Sequence, residues 1–159
     1  MDKAIITVLL TVASIVAMLG VFNAVLPTIQ RTSGAVITAS SVVDERIQTD
    51  VSIVHATGQS GTATVLVWVK NIGSSTVDAL DKLDVFFGPQ GDFQRIPQGG
   101  AGCTAPCWEY AIENDTKFQP AATLRVTLNL AASLAASTTY YAKVVTSNGV
   151  SDARYFTVA

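Results

Sequence analysis

From Ala4 to Leu26 the chain reads AIITVLLTVASIVAMLGVFNAVL, 23 residues without a charge. Apolar side chains fall on every side of a helical wheel there. At about 1.5 Å of rise per residue, a helix of this run is about 34 Å long, enough to cross a hydrocarbon core of about 30 Å. After Pro27 the pattern continues as TIQRTSGAVITASSVVDERIQTDV, still helical in period but increasingly polar. Val36, Ile37, Ser40, Val43 and Ile47 recur at three- and four-residue spacings and form one stripe, with Asp44, Glu45, Arg46 and Gln48 off it. Pro27 removes one backbone hydrogen bond and is the expected kink; Ser33-Gly34 is a second soft point. Ala, Gly, Ser and Thr are dense between Ala13 and Ser41, which lets helices approach closely. One helix over residues 3–49 would be about 70 Å long, more than a domain of this size needs inside it. The pattern fits a membrane span that also serves as the core of a polymer, with Ile5, Leu9, Val12, Val16, Leu19, Phe22 and Leu26 buried against neighbouring copies.

From Asp50 the period changes to two. VSIVHAT is followed by a turn at Gly58-Gln59-Ser60-Gly61, then by TATVLVWVKN, whose Val65, Val67 and Val69 face one way and Leu66 and Trp68 the other. With both faces apolar, this strand is expected to be central. Asn71-Ile72-Gly73-Ser74-Ser75 is a turn, STVDAL and LDVFFGP continue the strand pattern, and residues 89–102 form a Gly/Pro/Gln-rich loop. CWEYAIEN is a short strand. TLRVTLNL alternates cleanly, with Leu124, Val126, Leu128 and Leu130 inward. TTYYAKVVT and VSDARYFTV flank Ser147-Asn148-Gly149, a hairpin signal. Seven or eight short strands without a second helix predict an antiparallel, immunoglobulin-like β-sandwich. The expected class is α+β: a helical segment over residues 1–49 and a sandwich over 50–159.

Composition narrows the function. Only 14% of the 159 residues are charged, well under the usual quarter. The net charge is −2 and no basic cluster occurs, so the phosphate-neutralising stripe of a nucleic-acid binder is missing. The two cysteines, Cys103 and Cys107, lie in GAGCTAPCWEY. Two thiols are too few for structural zinc, and a small disulfide loop is the expected arrangement, which implies an oxidising space outside the cytoplasm. Asn114-Asp115-Thr116 is a glycosylation sequon and points the same way. The long apolar run, with no Ala-x-Ala site after it, does not read as a cleaved secretory signal.

Catalytic chemistry is not written in the chain. His55 is the single histidine, expected half-buried in a strand, and no nucleophile, metalloprotease or phosphate-loop motif occurs. Asp78, Asp81 and Asp84 recur every third residue, but not at the alternate spacing of a calcium loop; a solvated acidic turn outweighs a Ca²⁺ site. Gly99-Gly100-Ala101-Gly102 reads as a flexible loop, and Trp68 and Trp108 as packing residues. Neither a cofactor nor a small-molecule substrate is expected.

An apolar amino-terminal helix, its amphipathic continuation and a sandwich head together resemble the archaellum (archaeal flagellum) proteins of the type IV pilin superfamily. The resemblance rests on IQRTSGAVITASSVVDERIQTDVSIVHA, VLVWVKNIGSS, DKLDVFFGPQGDFQRIP, CWEYAIEND and NGVSDARYFTVA, which together span nearly the whole chain. They look like both the filament proteins and the G-type accessory protein. The resemblance implies a homo-oligomeric helical filament with the helix at its core and the heads outside. It also implies insertion in the cell membrane before assembly, and assembly and rotation driven by a cytoplasmic motor and platform protein. A membrane-anchored accessory or stator protein, its sandwich bound to a surface-layer or periplasmic partner, is the alternative. Filament precursors usually carry a short basic leader ending in Lys/Arg-Gly, and none is seen. Ile5 stands where bacterial pilins carry Glu, which fits the archaeal side of the superfamily.

Overall fold

The fold was obtained as a computed structural model. It describes the backbone of residues 2–100 and 102–159, and the side chains of 3–28, 40–100 and 102–159. The side chains of Ser33, Val36 and Ile37, the Ser33-Gly34 soft point and Ala101 therefore lie outside the described residues. The chain divides into two compact units, Met1–Val43 and Asp44–Ala159. The boundary falls before the last turn of the helix rather than after Thr49.

Helix α1 spans Asp2–Gln48 and runs through Pro27 without interruption. Proline fits because its cost is one missing bond, and the Thr28 hydroxyl donates to the Ala24 carbonyl one turn back at 3.2 Å. In the first unit the described side chains are exposed throughout.

The second unit carries eight strands: β1 (Val51–Gly58), β2 (Thr64–Asn71), β3 (Asp84–Pro89), β4 (Gln94–Ile96), β5 (Cys107–Glu113), β6 (Thr123–Asn129), β7 (Thr139–Val145) and β8 (Ser151–Thr157). They form two four-stranded sheets, ordered β1-β2-β6-β5 and β4-β3-β7-β8, with every strand pair antiparallel. This is the α+β sandwich expected from the alternation. β2 is interior, as its two apolar faces require. Val65, Val67 and Val69 of β2 and Leu124, Val126 and Leu128 of β6 are at most 1% exposed. They face Val85 and Phe87 of β3 and Tyr140, Ala142 and Val144 of β7 across the core. Phe87 and Tyr140 stack with ring centroids 5.4 Å apart. Each of the Val, Leu and Phe side chains among them contributes about 1.5–3 kcal/mol on burial.

Three local expectations are corrected. STVDAL is not a strand: it leads into a single 3-10 turn at Leu80–Lys82, where Val77 and Leu80 are buried and the Val77 amide donates to the Phe118 carbonyl. That long-range bond overrides the local alternation. The Gly/Pro/Gln-rich loop hides β4, whose three residues are too few to show a period. His55 is exposed, because the β1 register slips between Ile53 and His55 and rotates it outward. Its ring lies 5.4 Å from that of Trp68, which is half-buried on the same outer face.

Candidate assembly surfaces

The first surface is the apolar part of α1. Lys3–Thr28 is long and apolar enough to cross a membrane, and among the described residues none of it is buried. Ile5, Leu9, Val12, Val16, Leu19, Phe22 and Leu26 are each 49–65% exposed. Ile6, Val8, Leu10, Ile15, Met18, Val21 and Val25 are exposed to a similar degree, so the seven expected residues are part of an apolar circumference rather than a separate stripe. The hydroxyls in this segment are turned inward on their own helix. Thr7 donates to the Lys3 carbonyl at 2.6 Å, Thr11 to Val8 at 2.8 Å and Ser14 to Leu10 at 2.8 Å. Such bonds let a hydroxyl enter hydrocarbon without an unpaired donor.

The second feature is the way the head grips the end of α1. The last carbonyls of a helix have no intrahelical partner. Here the Gln48 carbonyl accepts from the amides of Ser74 at 2.8 Å and Ser75 at 3.2 Å, and the Asp50 carbonyl accepts from Ile72 and Gly73, each at 3.0 Å. The donors all belong to the turn after β2. That turn is shaped by Asn71, which is fully buried: its side-chain amide donates to the Ser75 carbonyl at 2.9 Å and the Phe118 carbonyl at 3.0 Å, and its Oδ1 accepts from the Gly73 amide at 3.0 Å. A Cβ on Gly73 would lie 2.5 Å from the Asp50 nitrogen and the Gln48 oxygen, so the approach requires glycine. The Asn71–Ser75 turn, read from sequence only as a strand connection, is thus a collar on the helix. From the other side the β7–β8 hairpin reaches the same turn of helix, with Arg46 donating to the Gly149 carbonyl at 3.5 Å.

The third is the exterior of the sandwich. Its β1/β8 side is closed by side chains: Asp152 accepts from the Ile53 amide at 2.7 Å, and Arg154 donates to the carbonyls of Ile53 at 2.9 Å and Val54 at 2.8 Å. The β4/β5 side is closed by backbone, with the Trp108 amide donating to the Pro97 carbonyl and the Gly99 amide to the Trp108 carbonyl. Cys103 and Cys107 form a disulfide beside that seam, where a Cβ on Gly99 would strike the Cys103 side chain. Trp108 is wholly buried. On the outer face of the second sheet, exposed Phe93 and Tyr155 flank half-buried Tyr141 in an aromatic row, with centroids 4.6 and 5.0 Å apart. Burial, and then the charge Tyr155 would carry, push the Tyr141 hydroxyl above its usual pKa.

The remaining predicted positions are scattered. Asn114 is exposed in a left-handed backbone conformation just after β5, an accessible place for the sequon. Asp84 pairs with Arg95 at 2.6 Å, while Asp78 and Asp81 are exposed; among the described residues no three metal-capable side chains are gathered.

No family model matches the chain. An uncharacterized protein of Archaeoglobus fulgidus is 28% identical over 162 residues, covering 97% of this chain and 97% of that one. Among solved structures, the archaellum periplasmic stator protein FlaG from Sulfolobus acidocaldarius is 27% identical over 68% of this chain and 99% of its own, with a TM-score of 0.59. The archaeal flagellum of Methanospirillum hungatei strain JF1 covers 94% of this chain and 90% of its own at a TM-score of 0.68; at 14% identity that likeness is one of fold. The chain resembles both kinds of archaellum protein.

Proposed function

We propose that this chain is a structural component of an archaellum-like assembly, and specifically a subunit of its extracellular filament. Before assembly α1 lies in the cell membrane; afterwards Lys3–Thr28 packs against the same segment of neighbouring copies, and the sandwich forms the outer surface. One observation carries this reading. The likeness to the flagellum runs through the apolar helix as well as the head, over 94% of the chain, and that helix is exposed all round in the single chain. A membrane anchor alone does not account for a helix that continues to Gln48. A cytoplasmic motor and platform protein would drive assembly, so the chain itself carries out no reaction.

The 27% identity of the head to a stator protein favours a second reading, a membrane-anchored archaellum accessory protein whose sandwich binds a surface-layer or periplasmic partner. Electron microscopy of sheared surface appendages, with mass spectrometry of their protein, separates the two. As a filament subunit this chain is the major component of the appendage; as an accessory protein it stays with the membranes.

A further inference from the structure

Trp68 stands on the outer face of the β1-β2-β6-β5 sheet and takes no part in the core. Its register partners are His55 on β1 and Arg125 on β6. The ring is half-buried, and among the described residues its indole N–H has no hydrogen-bond partner. Trp68 also lines an open groove of about 630 Å³, together with Glu113, Asn114, Asp115, Pro120 and Thr123. Small-ligand sites span about 300–1,000 Å³. The groove therefore holds the acceptor of the Asn114-Asp115-Thr116 sequon. Asn114 and Thr116 are exposed, and among the described residues neither side chain has a hydrogen-bond partner. Asp115 between them is occupied, accepting from the Thr116 amide at 2.7 Å and the Gln119 side-chain amide at 2.8 Å. Phe118, 2% exposed, pins the same loop to the core. The acceptor is thus presented on an anchored loop, at a groove that has an aromatic ring in its lining.

We propose that Asn114 carries an N-linked glycan whose first sugars lie in this groove against the ring of Trp68. In the transfer, Asn114 Nδ2 bonds to the anomeric carbon of an oligosaccharide carried on a lipid phosphate. The bond from that carbon to the phosphate oxygen breaks, the lipid phosphate leaves with the electron pair, and the Nδ2 proton passes to a base of a membrane-bound transferase. The groove suits a sugar in two ways. The C–H face of a pyranose covers the apolar ring, while its hydroxyls meet Glu113, Asp115, Thr123 and the free indole N–H. Attachment at Asn114 makes the contact intramolecular, so each bond can be weak and the seat still filled. The inference needs only a head outside the cytoplasm, and it holds for a filament subunit and an accessory protein alike.

The test uses the full chain purified in detergent from the cells that make it, as wild type, Thr116→Ala, Trp68→Phe and Trp68→Ala. Thr116→Ala removes the sequon and leaves Asn114 in place. Mass spectrometry of the peptide containing Asn114 is expected to show a glycan in the wild type and in both Trp68 variants, and none in Thr116→Ala. Fluorescence quenching by acrylamide then reads the seat. The chain has two tryptophans, and Trp108 is wholly buried, so the quenchable signal belongs to Trp68. Thr116→Ala is expected to quench more steeply than the wild type, and Trp68→Phe to quench hardly at all. Thermal melts supply an independent readout: loss of the glycan lowers Tm when Trp68 is present and leaves it unchanged in the Trp68→Ala background. An unmodified Asn114 in the wild type overturns the proposal. A glycosylated wild type whose Trp68 is quenched as steeply as that of Thr116→Ala overturns the seat in the groove.

Discussion

The side-chain amide of Asn148, in the last hairpin, donates to the hydroxyl of Thr49 at 2.7 Å, joining residues 99 positions apart. Thr49 in turn donates from that hydroxyl to the Glu45 carbonyl at 2.8 Å, within the last turn of the helix. The Thr146 hydroxyl holds Asn148 in place at 2.6 Å. Together with the Asn71–Ser75 collar, this makes the end of α1 part of the sandwich unit rather than a flexible leader to it.

Asn71 is the residue on which that arrangement depends most. Asn71→Ala takes the side-chain donor from the carbonyls of Ser75 and Phe118 and one acceptor from the Gly73 amide, while Phe118 keeps the Val77 amide and Gly73 keeps the Asp50 carbonyl. The expected loss is about 2–4 kcal/mol of unfolding free energy, measured by denaturant titration of the full chain in detergent. Asn148→Ala, at a half-exposed site, is expected to cost about 1 kcal/mol.

Gly73→Ala tests the collar by shape instead of polarity. The added methyl meets the backbone of residues 48–50, which cannot swing away as a side chain can. The turn must retreat from Gln48 and Asp50, so amide hydrogen exchange at Ser74 and Ser75 is expected to accelerate together. Unchanged protection at both would show that the collar does not hold the helix end.

For the apolar helix, Leu19→Lys is expected to remove the chain from filaments. A lysine at the middle of a span costs about 2.5–3.5 kcal/mol on insertion and finds no partner in an apolar polymer core. Arg125→Ala should leave filaments intact, since its ion pair with Glu113, at 3.2 Å, is partly exposed and such pairs contribute at most about 1 kcal/mol. Appendages counted by electron microscopy distinguish the two variants.

The aromatic row makes a prediction in pH. Tyr141 keeps its proton to a higher pH than a free tyrosine, through burial first and the neighbouring Tyr155 second. A raised pKa in the folded state means its contribution to stability is complete below the usual value of about 10 and is lost as pH rises through the folded value. Tyr155→Phe removes the second cause, so the Tyr141 ultraviolet titration should move part of the way down. No movement would mean that burial alone is responsible.

The fold was largely legible because its two periods are strong. A charge-free run of 23 residues and the clean alternation of Thr123–Asn129 each force one backbone state. What escaped was set by long-range contact. Val77 takes an irregular path because the Phe118 carbonyl holds it, and His55 points outward because a bulge shifts the register by one residue. The role of Asn71-Ile72-Gly73-Ser74-Ser75 was equally hidden. The residue types announce a turn, yet nothing in them says that its amides will meet the carbonyls of a helix end more than 20 residues earlier. Gly73 was the available signal, since a glycine in a turn can mark a close backbone approach, as it does here.

A helix that keeps its own hydroxyl protons is portable. Because Thr7, Thr11 and Ser14 are already bonded within α1, removing the segment from a bilayer strands none of those three groups, and returning it strands none either. For a subunit exchanged between membrane and polymer, these side chains set no direction of travel. Direction would then come from the force applied and the supply of neighbours, so a halted assembly could run backwards by the route it came.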